Sequence, residues 1–241
     1  MIVAANWKMN PEFSAAATLA SDYCATSHKG VTRILFAPHP YLVPIGVRLQ
    51  GSGILLGGQD CHQSASGAHT GDVSTAMLRD CGASLVLLGH SERRADHGET
   101  SELVAAKAVQ AFETGLSVMI CVGETVAERE AGNALATVLD QLAISVPTTL
   151  PTTALTIAYE PVWAIGTGKV ATAVEIAEMH LGIRRWLDEA GFAQTEILYG
   201  GSVKPRNVAE IFSVPHVDGA LVGGASLVAA DFAGICAAAA G

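Results

Sequence analysis

Eight short apolar runs, rich in β-branched residues and spaced along the chain, restrict its fold more than any other feature. They cover Ile2–Asn6, Arg33–Ala37, Ile54–Gln59, Leu85–Gly89, Ser117–Val122, Thr156–Tyr159, Ile197–Tyr199 and Ala220–Val222. Stretches rich in Ala and Leu lie between most of them, with helical spacing that is clearest at Glu12–Thr26, Ser101–Thr114, Asn133–Ile144 and Thr172–Ala190. Repeated alternation of strand and helix is typical of βαβ units and predicts a parallel sheet.

Two arrangements of such a sheet fit this alternation: an open, doubly wound sheet and a closed barrel. The number of units favours the barrel, and so do the polar and glycine residues that follow nearly every run. In (β/α)8 barrels the carboxyl ends of the strands carry the active site. No linker or change in composition divides the chain. The sequence therefore predicts a single α/β domain over residues 1–241, folded as a closed (β/α)8 barrel.

Composition indicates how the core is built, and net charge limits the kinds of molecule that the protein can bind. Hydrophobic residues make up 50% of the chain and aromatic residues 5%, so Ala, Val, Leu and Ile must supply most of the core. Such residues are typical of a parallel sheet covered on both faces. The formal net charge of -9 argues against nucleic acid or an anionic membrane as a partner. An anionic substrate would have to be held by local groups.

The cysteines and the start of the chain bear on the compartment. The five cysteines are widely spaced and form no CxxC pair, which favours neither a disulfide framework nor a zinc site. The first apolar run begins at Ile2, and no run reaches the roughly 18 apolar residues of a membrane span. We expect a soluble cytoplasmic protein that binds neither metal nor membrane.

Three chemically useful side chains directly follow predicted strands. Lys8 places a cation, beside Asn6, at the mouth of the expected barrel. His90 opens a predicted helix, where unpaired N–H groups and the helix dipole disfavour the imidazolium, so His90 is suited to be a neutral electrophile. Glu160 precedes Pro161 on extended backbone and can act as a general base if apolar cover raises its pKa. Each residue alone also fits a purely structural role.

The segment after Glu160 is apolar although it lies in a predicted loop. Residues 161–169 read PVWAIGTGK, and an apolar loop flanked by Pro and Gly favours a hinged lid over a ligand. A nucleotide P-loop is rejected, because its first glycine would fall on Trp163 and Val170 replaces the required Ser or Thr.

Two glycine pairs follow the last two predicted strands. Gly200 and Gly201 precede Ser202, and Gly223 and Gly224 follow the eighth run. Glycine allows backbone N–H groups to approach an anion closely, and barrels frequently bind phosphate at these two loops. Each pair by itself is equally typical of a tight turn, but together they predict a phosphate site.

Five segments resemble the signature segments of the triosephosphate isomerase family. They are Asn6–Asn10, Gly89–Arg94, Ala158–Lys169, Tyr199–Val203 and Asp218–Ser226, in the order in which the family carries them. The stretch AYEPVWAIGTGK is highly specific. The resemblance implies a TIM barrel that interconverts dihydroxyacetone phosphate and D-glyceraldehyde 3-phosphate through an enediolate, in glycolysis and gluconeogenesis, with no cofactor and no metal.

The resemblance also implies a role for each site residue. Glu160 removes a carbon-bound proton and returns it to the neighbouring carbon, while His90 acts on the substrate oxygens. Lys8 and Asn6 hold the negatively charged substrate, with Glu92 as a carboxylate beside Lys8. The phosphate would lie on the backbone N–H groups of Gly166, Ser202, Gly223 and Gly224, and the base would be covered by Ile165 and Leu221.

Contacts of two loops are implied in the same way. The loop from Gln59 to Asp72 resembles the family's dimer loop, which implies a homodimer in which Thr70 reaches the neighbouring Asn6–Lys8 region. In the lid, Glu124 would hydrogen-bond Trp163 in the closed state. Tyr199 and Ser202 would bond lid backbone, near Ala171 and Gly168 respectively.

Two other functions remain to be weighed. One is another phosphate-binding barrel, such as an aldolase or a biosynthetic sugar-phosphate isomerase. An aldolase would require a Schiff-base lysine inside a strand, and none of the eight runs contains a lysine. An inactive relative kept for binding would be expected to have lost Lys8, His90 or Glu160, and all three are present.

Overall fold

A closed parallel barrel forms the centre of the molecule in the computed structural model, which describes residues 1–165 and 170–241. Its strands are β1 (Ile2–Asn6), β2 (Thr32–Ala37), β3 (Leu55–Gly58), β4 (Leu85–Leu88), β5 (Ser117–Val122), β6 (Leu155–Tyr159), β7 (Glu196–Tyr199) and β8 (Gly219–Val222). Each strand pairs in parallel with the next, and β8 pairs with β1. The predicted closed (β/α)8 barrel is confirmed, and an open sheet is excluded.

Helices surround the barrel. They are α1 (Phe13–Cys24), α2 (Leu42–Leu49), α3 (Thr75–Asp80), α4 (Ser91–His97), α5 (Ser101–Glu113), α6 (Val126–Glu130), α7 (Ala134–Ser145), α8 (Ala173–Glu189), α9 (Val208–Phe212) and α10 (Ala229–Ala240). The four helices predicted from spacing are α1, α5, α7 and α8, each within two residues at either end. No helix in the described part of the chain is long and apolar enough to cross a membrane.

Local sequence explains where α8 begins, directly after the predicted lid. The Thr172 hydroxyl accepts the Glu175 N–H, and the Glu175 carboxylate accepts the Thr172 N–H at 2.7 Å. This reciprocal capping box pairs N–H groups that would otherwise be unsatisfied at a helix start. It gives the far end of the lid a firm anchor.

Apolar side chains pack in two layers. The inner layer fills the barrel and contains Ala4, Ile34, Phe36, Leu85, Leu87, Met119, Cys121, Ala158, Leu198 and Leu221. The outer layer lies between the strands and the helices. Gly57 is required by the inner layer, because a Cβ at that position would lie 2.5 Å from the ring of Phe36. The interior is therefore a packed core, and a ligand can enter only at its rim.

Candidate active site

A pocket of about 920 Å³ opens at the rim where the strands end. Ten residues predicted for the site line it: Asn6, Lys8, His90, Glu92, Glu160, Ile165, Ser202, Leu221, Gly223 and Gly224. The eleventh, Gly166, lies outside the described residues. The pocket therefore brings together side chains and loops that are distant in sequence.

Glu160 lies at the end of β6 and is only 2% exposed. Its backbone N–H donates to the Val122 carbonyl at 2.8 Å, which continues the sheet by one residue. Its Oε2 accepts the Ser91 N–H at 2.9 Å, and its Oε1 lies 3.0 Å from Nε2 of His90. Both oxygens of this carboxylate are thus engaged by one loop.

The pKa of Glu160 differs from the expectation drawn from its apolar cover. Burial does raise it, but the interactions with His90, the Ser91 N–H and the charge of Lys8 together outweigh burial. The pKa therefore lies below its ordinary value. In this arrangement Glu160 is an ionised carboxylate at neutral pH, which is the state that a base requires.

His90 caps the first turn of α4 through its side chain. Its Nδ1 accepts the Glu92 N–H at 3.2 Å, so the ring proton of a neutral His90 lies on Nε2 and faces Glu160. Burial lowers the pKa of His90, whereas the Glu160 carboxylate raises it and prevails while the two are paired. The helix start thus holds the ring and its tautomer, but the expectation that it would disfavour the imidazolium is not met while His90 is paired with Glu160, because the nearby carboxylate raises the pKa of His90.

Lys8 has a left-handed backbone, with φ of 52°, which is uncommon for a residue other than glycine. The Asn6 side chain stabilises this conformation by accepting the Lys8 N–H at 2.9 Å. The Lys8 ammonium lies 2.5 Å from Oε1 of Glu92. Strained backbone of this kind is typical of functional sites, where surrounding contacts hold it in place.

Gln59 is a supporting residue that the sequence analysis did not identify. Its Nε2 donates to the Lys8 carbonyl at 2.9 Å and to the Phe36 carbonyl at 3.1 Å. The same amide lies 3.4 Å from Oδ1 of Asn6. Gln59 thereby links the ends of three neighbouring strands below Lys8. In the sequence, the one sign of this role was that Gln59 is a polar residue at the end of the third apolar run.

A buried charge cluster supports the turn before His90 and was also missed. Glu99 Oε2 accepts the N–H of Gly89, whose φ is 69°, at 3.1 Å. The Lys107 ammonium contacts Glu99 and lies 2.8 Å from Oδ1 of Asp60. Lys107 is 5% exposed, so a lysine on the apolar face of a predicted helix was the signal that could have revealed this cluster.

The first part of the predicted lid is anchored on Glu124. Its Oε1 accepts the Trp163 indole N–H at 2.7 Å and the Tyr159 hydroxyl at 3.1 Å. The Arg129 guanidinium lies 4.7 Å from the centre of the Trp163 ring. The Glu124–Trp163 contact inferred for the closed lid is therefore present, while residues 166–169 of the lid lie outside the described part.

Two further lid contacts concern Ser202 and Tyr199. The Ser202 hydroxyl donates to the Ala164 carbonyl at 3.1 Å. This contact lies on the near side of the lid, whereas the expected bond near Gly168 falls outside the described residues. Burial raises the pKa of Tyr199 to about 12, and a contact with the Ala171 backbone opposes that rise. Ser202, in the loop after β7, thus contacts the first arm of the lid.

The glycine pair after β8 lies close to Lys8. A Cβ on Gly223 would lie 3.4 Å from Cε of Lys8. A helical turn over Gly224–Leu227 begins there, and the first N–H groups of such a turn have no partner within it. N–H groups at a helical start favour an anion, and the lysine adds charge beside them.

One described group outside the pocket has the composition of a metal site. His62, His69 and Asp72 place ligand atoms within 4.8 Å of one another on the loop after β3. His62 Nδ1 already accepts the Ser64 N–H at 3.0 Å, so the Nε2 of a neutral His62 carries a proton. A neutral imidazole cannot offer Nε2 to a metal in that tautomer, and we assign this group no role in the reaction.

Fold and site together define a (β/α)8-barrel enzyme whose rim pocket brings together a carboxylate, an imidazole and an ammonium. The family model for triosephosphate isomerase matches residues 1–239. The chain belongs to the triosephosphate isomerase family. It interconverts dihydroxyacetone phosphate and glyceraldehyde 3-phosphate, a step of glycolysis.

Individual relatives agree with this assignment. The triosephosphate isomerase of Ruegeria pomeroyi is 52% identical over 238 residues, which cover 97% of this chain and 95% of the relative. That of Dinoroseobacter shibae is 50% identical over 241 residues, with 98% of both chains covered. The crystal structure of triosephosphate isomerase from Bartonella henselae superposes with a TM-score of 0.91, at 40% identity and 98% coverage of both chains. The predicted family and activity are confirmed.

Proposed function

We propose that Glu160 is the base that moves a proton between neighbouring carbons of the triose phosphate. The observation that carries this assignment is a buried carboxylate that lines the pocket and lies 3.0 Å from an imidazole nitrogen. Its lowered pKa keeps it ionised at neutral pH. A carboxylate can remove a proton from carbon when the developing enediolate is stabilised by nearby donors and charge.

His90 stabilises the enediolate as a neutral imidazole. While it is paired with Glu160, the carboxylate raises its pKa; when Glu160 turns toward substrate carbon, that influence weakens. Burial and the charge of Lys8 then act to lower the pKa of His90, against the smaller opposing effect of the Glu92 carboxylate. The ring keeps one proton on Nε2, which it donates to a substrate oxygen and can pass between the two oxygens.

Glu160 must leave the Ser91 N–H before it reacts, because both of its oxygens are engaged in the free chain. Ile165 and Leu221 line the pocket beside it. Closure of the lid presses apolar groups against the carboxylate and excludes water, which raises its basicity at the time of reaction. Exclusion of water also protects the enediolate phosphate, which in solution loses phosphate and forms methylglyoxal.

Three further residues balance the charge of the substrate and hold the groups that bind it: Lys8, Asn6 and Glu92. The Lys8 ammonium offsets negative charge on the phosphate and on the enediolate, and Asn6 holds the backbone that presents it. Glu92 is half-exposed and pairs with Lys8 in the free chain. We propose that Glu92 holds the ammonium in position until substrate charge competes for it.

The phosphate lies on the backbone N–H groups of Ser202, Gly223 and Gly224. The helical turn that starts at Gly224 and the nearby Lys8 favour an anion there. The resemblance adds the N–H of Gly166 from the lid.

Solvent exchange tests the assignment of the base. If Glu160 carries the proton, turnover of glyceraldehyde 3-phosphate in deuterium oxide should deliver product with deuterium from solvent at the receiving carbon. A Glu160→Gln variant should lose both isomerisation and exchange while circular dichroism shows an intact fold. Isomerisation at the wild-type rate by that variant would refute the role of Glu160.

We further propose a homodimer formed through the loop around Thr70. Met9 is 94% exposed directly after Lys8, and Met77 is 56% exposed on α3, which follows the loop. Large exposed apolar side chains are costly in water and favour association. A partner that covers Met9 would contact the segment that holds Lys8, which would stiffen the catalytic lysine.

We also infer a cytoplasmic location. All five cysteines are free thiols, and burial raises the pKa of Cys61 and Cys236 to about 12. Free thiols, two of them with a pKa that disfavours the reactive thiolate, fit a reducing compartment. Isomerase activity should therefore be recovered with the cytoplasmic fraction of cells, and recovery with another fraction would contradict this location.

A further inference from the structure

Lys204 is a cation on the pocket wall that the mechanism above does not use. It lines the active-site pocket near Ser202, and it also borders an adjoining cavity of about 140 Å³ beside Arg206 and Asn207. Its side chain is exposed. Across residues 1–165 and 170–241, no carboxylate forms an ion pair with the Lys204 ammonium.

The backbone holds Lys204 in a defined place. Its N–H donates to Oδ1 of Asn207 at 2.8 Å, and Nδ2 of Asn207 donates to the Ser202 carbonyl at 3.0 Å. Val203, which lies between Ser202 and Lys204 in the chain, is buried. The ammonium is therefore tethered to a firm turn, two residues from a proposed phosphate ligand, while its flexible stem reaches into solvent.

The charges around the pocket indicate why a cation at this position would affect substrate binding. The formal net charge of the chain is -9, so a phosphate dianion approaches against the overall field. Carboxylates line the pocket at Glu92, Asp96, Glu160 and Asp231. Among the described residues that line it, two are lysines, and the ammonium of Lys8 is already paired with Glu92. Of these two lysines, Lys204 is the one whose ammonium forms no ion pair with a described residue.

We propose that Lys204 is an electrostatic capture residue for the phosphate group of the substrate. It attracts the dianion toward the Ser202 end of the pocket during approach and does not act on the reacting carbons. It therefore raises kcat/KM and leaves kcat unchanged. This inference rests on the proposed function, because it assumes that the phosphate lies on the loops after β7 and β8.

Coulomb attraction sets the size of the effect. A unit charge acting on a dianion from several ångströms in water changes the capture rate about threefold to fivefold at low ionic strength. The Debye length falls from about 30 Å at 0.01 M salt to about 3 Å at 1 M, so salt should remove most of the effect. A residue with only a structural role would not show this dependence.

The test measures kcat and KM of three variants across ionic strength. Lys204→Gln removes the charge, and Lys204→Arg keeps it. Lys29→Gln is the matched control, since it makes the same change in net charge at an exposed residue between α1 and β2, on the opposite end of the barrel. Lys204→Gln should lower kcat/KM about threefold to fivefold near 0.01 M salt and much less near 1 M. Its kcat should equal that of the wild type, and the other two variants should resemble the wild type throughout.

Three outcomes would overturn the capture role: no loss in Lys204→Gln, a loss that salt does not reduce, or an equal loss in Lys29→Gln. None of these affects the assignment of Glu160 as the base, which is tested by deuterium exchange. A wild-type chain that does not isomerise triose phosphates would instead refute the proposed function itself.

Discussion

The backbone N–H of Ser91 donates to Oε2 of Glu160 at 2.9 Å, so the proposed base is held by the residue that follows His90. One short turn therefore positions both groups that we propose act on the substrate. In the proposed mechanism Glu160 leaves the Ser91 N–H before it reaches substrate carbon, so the position of the carboxylate can be tested directly.

Shortening the Glu160 side chain should have a large kinetic effect. Glu160→Asp keeps the charge but withdraws the carboxylate by one methylene, and a displacement of about 1 Å costs roughly a hundredfold in rate. We expect kcat to fall by about that factor in a coupled assay. Glu196→Asp is the control. Glu196 is the first residue of β7, at the end of the barrel away from the pocket, so this variant should keep the wild-type kcat. A Glu160→Asp variant with nearly normal kcat would show that another group removes the proton.

Loosening the lid should change the products as well as the rate. Trp163→Phe keeps an aromatic ring near Arg129 but removes the N–H that donates to Glu124 at 2.7 Å. A closed lid that is less stable should lower kcat and raise the methylglyoxal formed per turnover several-fold. Product analysis measures this fraction, with Trp186→Phe on α8 as the control. An unchanged fraction in a folded variant would mean that the lid does not seal the site.

Association should depend on the exposed apolar surface near the loop after β3. Met77→Lys places a charge at a position that is 56% exposed in the single chain and is covered in the proposed dimer. Sedimentation at low micromolar concentration should give a wild-type dimer and a largely monomeric, less active variant. Val174→Lys changes a residue that is 77% exposed on α8 and should remain dimeric. A fully active wild-type monomer would argue against the proposed dimer.

Acid should weaken the fold partly through His180. Burial lowers the pKa of His180 to about 4, with Nδ1 of the ring 2.9 Å from the His216 carbonyl oxygen. The unfolded chain binds this proton below about pH 6.5 and the native chain only near pH 4, so stability is lost as pH falls through that window. The loss attributable to this residue is roughly 3 kcal/mol over the window, or about 1.4 kcal/mol per pH unit.

Urea unfolding between pH 7 and about 4.5 measures this contribution. The apparent free energy of unfolding should fall less steeply with acid in His180→Asn than in the wild type, whatever the variant loses at neutral pH. The exposed His97→Asn should keep the wild-type slope. If the free energy of unfolding fell equally steeply with acid in all three proteins, His180 would not contribute to the acid sensitivity of the fold.

The sequence by itself determined the eight strands, four of the helices, and the end of the barrel at which the candidate site residues lie. The predicted run Ser117–Val122 is β5 without change, and the predicted helix Thr172–Ala190 exceeds α8 by one residue at each end. Both follow from local causes: apolar periodicity, β-branched residues and a capping box. The positions of Lys8, His90 and Glu160 after strands were also readable, because parallel strands end at one rim.

Only the tertiary structure decided which groups meet. Ser91 and Glu160 are 69 residues apart, and Asp60 and Lys107 are 47 apart, so closure of the barrel brings each pair together. The pKa of Glu160 shows the consequence: apolar cover alone was expected to raise it, whereas the contacts with His90 and Ser91 lower it. Such values depend on distances of a few ångströms between distant segments, since hydrogen bonds and screened charges act over short range, and no local pattern in the sequence records those distances.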